Sequence, residues 1–185
     1  LVVIVPLALI VAIAYGNWTL DGALPRLALP FLMLALILAW RVFVAFRRED
    51  FEGALWRGVA ASLLLGIGVY GFAVESLRSF KLSPRLAETV RAIGCADPAV
   101  ITVGYREPSL VFLVGTDLAM GYDGQAAAAF LNQPGCRIAL VESRAMAGFK
   151  AALAQAALTP RVVTTVNGFN LNGGRKLAIG VFLRQ

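Results

Sequence analysis

Two long apolar stretches, residues 24–46 and 55–74, decide most of what this chain can fold into. A helix crossing about 30 Å of hydrocarbon needs roughly 20 mainly apolar residues, and each stretch has that length. The first carries Arg26 near its start and Arg41 near its end. The uncharged centre is therefore 27–40, and both guanidiniums can reach an interface. Pro25 suits a first helical turn. Pro30, further in, predicts a kink of the kind membrane helices tolerate. The second stretch is broken only by Arg57, at its start. In it Gly58, Ser62 and Gly66 recur every four residues. That spacing lets helices approach closely, and glycine facing lipid is the alternative. Trp40 and Trp56 stand where an aromatic belt is expected.

Residues 1–14 form a third apolar run, uncharged and containing Pro6. No basic segment precedes it and no small-residue cleavage pattern follows, so it does not read as a signal peptide. It reads as the end of a helix whose start lies before Leu1, in a chain that is a piece of a longer protein. The expected organisation is a membrane α-helical segment over 1–82, with two full transmembrane helices and a partial one. A small α/β domain with a mixed sheet follows over 83–185.

Orientation follows from arginine. Residues 41–57 hold four arginines, Arg41, Arg47, Arg48 and Arg57, whereas residues 15–26 hold Arg26 alone. Lys and Arg near helix ends favour the cytoplasmic side. Chain tracing then puts residues 15–24, and everything after the last helix, outside. The tail domain is then expected to be periplasmic or extracellular, an oxidising compartment. It would permit a bridge between Cys95 and Cys136; two buried free thiols are the other reading.

Composition closes several routes. Of the 185 residues, 59% are hydrophobic and none is histidine. Mean hydropathy is +0.76. Histidine acid–base chemistry and histidine metal ligation are excluded within this piece, and the two cysteines have no zinc-site spacing. Net charge is +6, with ten Lys/Arg and six Asp/Glu after residue 84. Those cations are scattered, whereas nucleic-acid binding needs them on one face. A solvated surface beside an anionic membrane is expected instead.

From Pro84 on, helix and strand patterns alternate. Residues 84–93 place Leu86, Val90 and Ile93 on one helical face, ended by Gly94. Strands are expected at 99–105, 117–120, 137–142, 161–166 and 176–184. Helices are expected at 108–114, at 123–132 with Asp123 as N-cap, and at 143–157 with Ser143 as N-cap. The pairs Asn167-Gly168 and Gly173-Gly174 mark a turn between the last two strands. Such alternation predicts helices packed on a mixed sheet with a closing hairpin. No glycine-rich phosphate loop joins a strand to a helix.

Few residues invite chemistry. Tyr105, Arg106 and Glu107 lie at a strand-to-helix junction, a common position for ligand contacts. A guanidinium there suits a phosphate or a sugar acid, while Glu107 before a helix also answers the helix dipole. Asn167, Asn170 and Asn172 could bind sugar hydroxyls or simply serve a turn. Asp117 and Asp123 are isolated carboxylates. Arg78 and Lys81, just beyond the last apolar stretch, could meet a lipid phosphate or anchor the interface.

Three strings, GYREPSLVFLVGTD (104–117), GCRIALVE (135–142) and VNGFNLNGGRKLAIGVFLR (166–184), resemble the C-terminal region of bacterial polyprenyl-phosphate-sugar glycosyltransferases. These are the aminoarabinose lipid A transferase-like proteins, related to the protein O-mannosyltransferases. The resemblance covers the tail domain, and the helices by topology only. It implies a multi-pass protein of the bacterial inner membrane that moves a sugar from an undecaprenyl-phosphate carrier to a lipid, glycan or protein acceptor. It implies a periplasmic tail domain lying over the catalytic cavity, with Tyr105, Arg106 and Glu107 facing it. The acidic centre, and any divalent metal, would belong to an upstream loop, leaving no catalytic residue and no cofactor in this piece. A membrane-anchored periplasmic binding domain without enzymatic activity is the competing expectation.

Overall fold

A computed structural model describes residues 2–170 and 173–184. Leu1 of the first apolar run, and Leu171 and Asn172 of the amide-rich segment, lie outside the described residues. The chain divides into two compact units, Leu1–Arg78 and Ser79–Gln185. The second begins four residues before the boundary drawn from sequence. Leu82 and Ser83 are buried residues of a helix belonging to that unit.

The first unit holds three helices long and apolar enough to cross a membrane: α1 (Ile4–Asp21), α2 (Leu29–Arg47) and α3 (Phe51–Ser76), of 18, 19 and 26 residues. The chain is a membrane protein by this measure. α1 runs through residues expected to be loop and stops at Gly22. That glycine adopts φ 68° and returns its N–H to the Trp18 carbonyl, a left-handed stop natural for glycine. The α1–α2 connection is correspondingly shorter.

Pro25 precedes α2, while Pro30 occupies its first turn. The kink expected at Pro30 is therefore unnecessary, because a first-turn residue needs no helical N–H bond. Asp50 caps α3, its Oδ1 accepting from the Gly53 N–H at 2.9 Å.

Helix–helix approach in this unit rests on alanine. Ala35 and Ala39 of α2, and Ala54 and Ala61 of α3, are buried. The Gly58–Ser62–Gly66 row is only loosely engaged. A Cβ on Gly58 would reach Val42 at 3.9 Å, and one on Gly66 would meet nothing within 4 Å. The close approach occurs instead at Gly68, where a Cβ would lie 2.9 Å from Leu32. Gly68 sits in a π-helical segment, Ile67–Ala73, inside α3. A buried Asn17 on α1 donates to the Ile13 carbonyl and accepts from Ser76 at 2.9 Å, tying α1 to the end of α3.

The second unit has the expected α/β class. Its elements are α4 (Leu82–Ala92), β1 (Ala99–Val103), α5 (Pro108–Val114), β2 (Ala119–Gly121), α6 (Gly124–Leu131), β3 (Arg137–Glu142), α7 (Met146–Gln155), β4 (Arg161–Asn170) and β5 (Arg175–Arg184). The five strands run in the order β2-β1-β3-β5-β4. β1 pairs in parallel with β2 and β3, and β5 pairs antiparallel with β3 and β4.

Period-two alternation divides the core between the two sheet faces. Ile138 and Leu140 pack with Leu86 and Val90 of α4 and Leu110 of α5. Ala139 and Val141 pack with Leu131 of α6 and Phe149 of α7.

Local details depart from the sequence reading at two places. Asn167 and Gly168 lie inside β4, paired with Ala178 and Leu177, and are not the turn. The backbone at Gly168 is approached so closely by Leu82 and Ser79 that a Cβ would lie 2.9–3.0 Å from them, so glycine is needed for packing. Ser143 does not cap α7. It opens a 3-10 turn, Ser143–Ala145, that leads into the helix.

Candidate functional site: a crevice at the carboxyl ends of the strands

The connections leaving β1 and β3 depart to opposite faces of the sheet. β1 leads to α5 on the face shared with α4, and β3 leads to α7 on the other. β1 and β3 are neighbours, so their diverging connections open a crevice between them. Open α/β sheets place ligands at such a switch point, outside the carboxyl ends of the strands. Here a cavity of about 480 Å3 occupies it, lined by Gly104 after β1, Tyr122 and Asp123 after β2, Glu142 at the end of β3, Arg144, and Arg175 at the start of β5, among others.

Glu142 is the centre of this crevice. It is buried at 1% exposure. Arg175 holds both of its oxygens, Nη1 donating to Oε1 at 2.7 Å and Nη2 to Oε2 at 3.3 Å. Burying a carboxylate is tolerable only with such a partner, and the fork of a guanidinium matches its two oxygens. Arg144 stands further off, Nε 3.7 Å from Oε1, with its side chain 71% exposed. Gly104 makes room for this arrangement. Its φ is +87°, and a Cβ there would come within 2.7 Å of the Glu142 side chain.

Asp123 accepts from the Ala126 N–H at 2.9 Å and so caps α6, as the sequence predicts. Tyr122 is 88% exposed, and the Arg106 guanidinium lies 4.8 Å from its ring centroid. Arg106 also donates to the Gly121 carbonyl at 3.2 Å.

Tyr105, Arg106 and Glu107 are thus drawn apart. Tyr105 is a core residue, its hydroxyl 2.8 Å from Ser83, which accepts in turn from Ser109. Burial pushes the phenol's pKa up, the Ser83 hydrogen bond opposes this, and the Glu107 charge adds to it. Arg106 is exposed and reaches the rim of the crevice, and Glu107 is half-buried ahead of α5. Arg78 is exposed and Lys81 half-buried. Cys95, after α4, and Cys136, before β3, are joined by a disulfide. Among the described residues no group of three or more acidic, cysteine or histidine side chains could hold a metal ion.

Glu142, Arg144, Arg175 and Tyr122 were not singled out by the sequence. One signal was present: Glu142 is the only acidic residue in the otherwise apolar run IALVE, where a charge must find a partner.

Fold and crevice together define the class: a membrane protein with three candidate spans and an α/β unit that opens a polar cavity at its switch point. Comparison of the chain with protein-family models, curated proteins and solved structures finds no match.

Proposed function

We propose that this chain is the C-terminal part of an inner-membrane glycosyltransferase that moves a sugar from an undecaprenyl-phosphate carrier to an acceptor at the outer face. The observation that carries the reading is a convergence. Each of the three strings on which the resemblance rests supplies one residue to a single contact: Gly104 from the first, Glu142 from the second, Arg175 from the third. Segments far apart in sequence thus meet at the carboxyl ends of β1 and β3, where open α/β sheets commonly take ligands. Three apolar helices in the same chain suit an enzyme whose donor is anchored in lipid.

In this reading the second unit lies in the periplasm. Two features support that side. Arg41, Arg47, Arg48 and Arg57 cluster at the α2–α3 connection, which favours its retention in the cytoplasm. The Cys95–Cys136 disulfide suits an oxidising compartment. This chain then supplies anchoring helices and a polar crevice, and the acidic catalytic centre is not one of its residues.

The test is transfer. Membranes carrying the full gene product, given labelled undecaprenyl-phosphate pentoses and hexoses, should pass label to an acceptor, while purified residues 1–185 should not. Absence of transfer from every donor by folded full-length protein contradicts the proposal, and turnover by residues 1–185 contradicts the assignment of the catalytic centre elsewhere.

A further inference from the structure

We infer that the crevice between β1 and β3 is a binding site for a neutral saccharide unit, a pyranose or furanose ring without phosphate or carboxylate. The cavity volume of about 480 Å3 falls in the range of roughly 300–1,000 Å3 typical of small-molecule sites. Its lining side chains balance in formal charge, Asp123 and Glu142 against Arg144 and Arg175, and Arg106 at the rim is engaged by the Gly121 carbonyl and the Tyr122 ring. A crevice built for an anion would carry a surplus of cations. With Glu142 and Arg175 engaged with each other, one donor group, Arg144, and one acceptor group, Asp123, are left to a ligand, which suits ring hydroxyls, since each both donates and accepts.

The polar groups also differ in how free they are. The Arg175 fork is spent on Glu142. Arg144 is largely solvent-exposed, with only a 3.7 Å approach to a carboxylate already doubly held. Asp123 uses Oδ1 on the Ala126 N–H, and a carboxylate has further acceptor sites to offer a hydroxyl.

Tyr122 supplies the apolar surface. An aromatic ring that is 88% exposed beside a polar cavity is a flat platform for the C–H face of a sugar. The Arg106 guanidinium lies over its ring, which fixes the platform by cation–π attraction. Gly148 presents backbone without a side chain along the lining, with open space where a Cβ would stand, so a flat ring can approach closely. The inference goes beyond the transferase reading, because binding at this crevice requires no transfer.

Two exposed positions test it without disturbing the core. Tyr122→Ala removes the platform. Asp123→Asn keeps a side chain that caps a helix about as well but removes the charged acceptor. The 185-residue chain in lipid nanodiscs, free of glycoside detergent, is titrated with methyl pentosides and hexosides, with glucose 1-phosphate and with inorganic phosphate, followed by ligand-observed NMR. At least one neutral glycoside is expected to bind, with Asp123→Asn weakening it about tenfold, the scale of one charge-assisted hydrogen bond, and Tyr122→Ala weakening it about as much through loss of the stacking surface.

The inference is overturned if no neutral glycoside binds, if binding is unchanged in both variants, or if only glucose 1-phosphate and phosphate bind. Binding without any carrier-lipid transfer by the full gene product would contradict the transferase proposal alone. Transfer with an empty crevice would contradict this inference alone.

Discussion

Glu142 is a carboxylate that folding has taken out of water, and everything nearby is arranged to make that tolerable. Arg175 covers both oxygens, and Gly104 leaves the space that a side chain would fill. Removing the carboxylate alone strands a guanidinium that is only 29% exposed. Glu142→Ala is expected to destabilise the second unit by about 3–5 kcal/mol, the usual consequence of breaking a buried pair from one side. Denaturant unfolding of the chain in detergent measures it. A loss below about 1 kcal/mol, the scale of a surface ion pair, contradicts the view that this contact organises the crevice.

The pair also explains why the site was only partly legible in the sequence. Glu142 and Arg175 are 33 positions apart, and nothing local to either names the other. Tyr105, Arg106 and Glu107 drew attention because they are adjacent in the chain. Adjacent residues at a strand end diverge in space, and here Tyr105 enters the core while Arg106 turns to Tyr122.

At the scale of elements, the connection between α2 and α3 is closed by one side chain. Asp50 accepts from the Gly53 N–H and from Arg57 Nη1 at 3.0 Å. The Arg57 hydrogen bond, and then the Gly53 N–H, hold its carboxyl below the usual carboxylate range. A depressed carboxyl stabilises its contacts at pH above the ordinary value, and that contribution is lost as pH falls through the lowered one. Protection of the Gly53 amide from hydrogen exchange is therefore expected to hold at neutral pH and fall in acid, while Asp50→Asn, which keeps a capping amide, should be flat with pH. Equal acid sensitivity in that variant contradicts the assignment to Asp50.

The order of elements after residue 82 was readable because period-two and period-3.6 patterns are local properties of the chain. The misplacements share one physical origin. Asn167 and Gly168 have turn chemistry, yet packing against Leu82 uses Gly168 inside a strand. Pro30 looks like a kink until the helix start is known to be Leu29. In each case a tertiary neighbour or a boundary, neither visible locally, selected among conformations the residue permits.

At the scale of the molecule, the chain joins two solvents. Exposed Leu27, Leu55, Leu63 and Ile67 on the first unit have no counterpart in a water-soluble design, and they suit a hydrocarbon surround. The second unit instead buries most of its aliphatic residues on both faces of a five-stranded sheet. The functional reading depends on which side of the membrane that unit occupies, because the proposed transfer takes place at the outer face and the Cys95–Cys136 disulfide suits the same side. Reporter fusions placed after Arg184 decide it directly. The account predicts an active alkaline phosphatase fusion and a dark green-fluorescent-protein fusion; a fluorescent fusion with inactive phosphatase would put the α/β unit in the cytoplasm and contradict it.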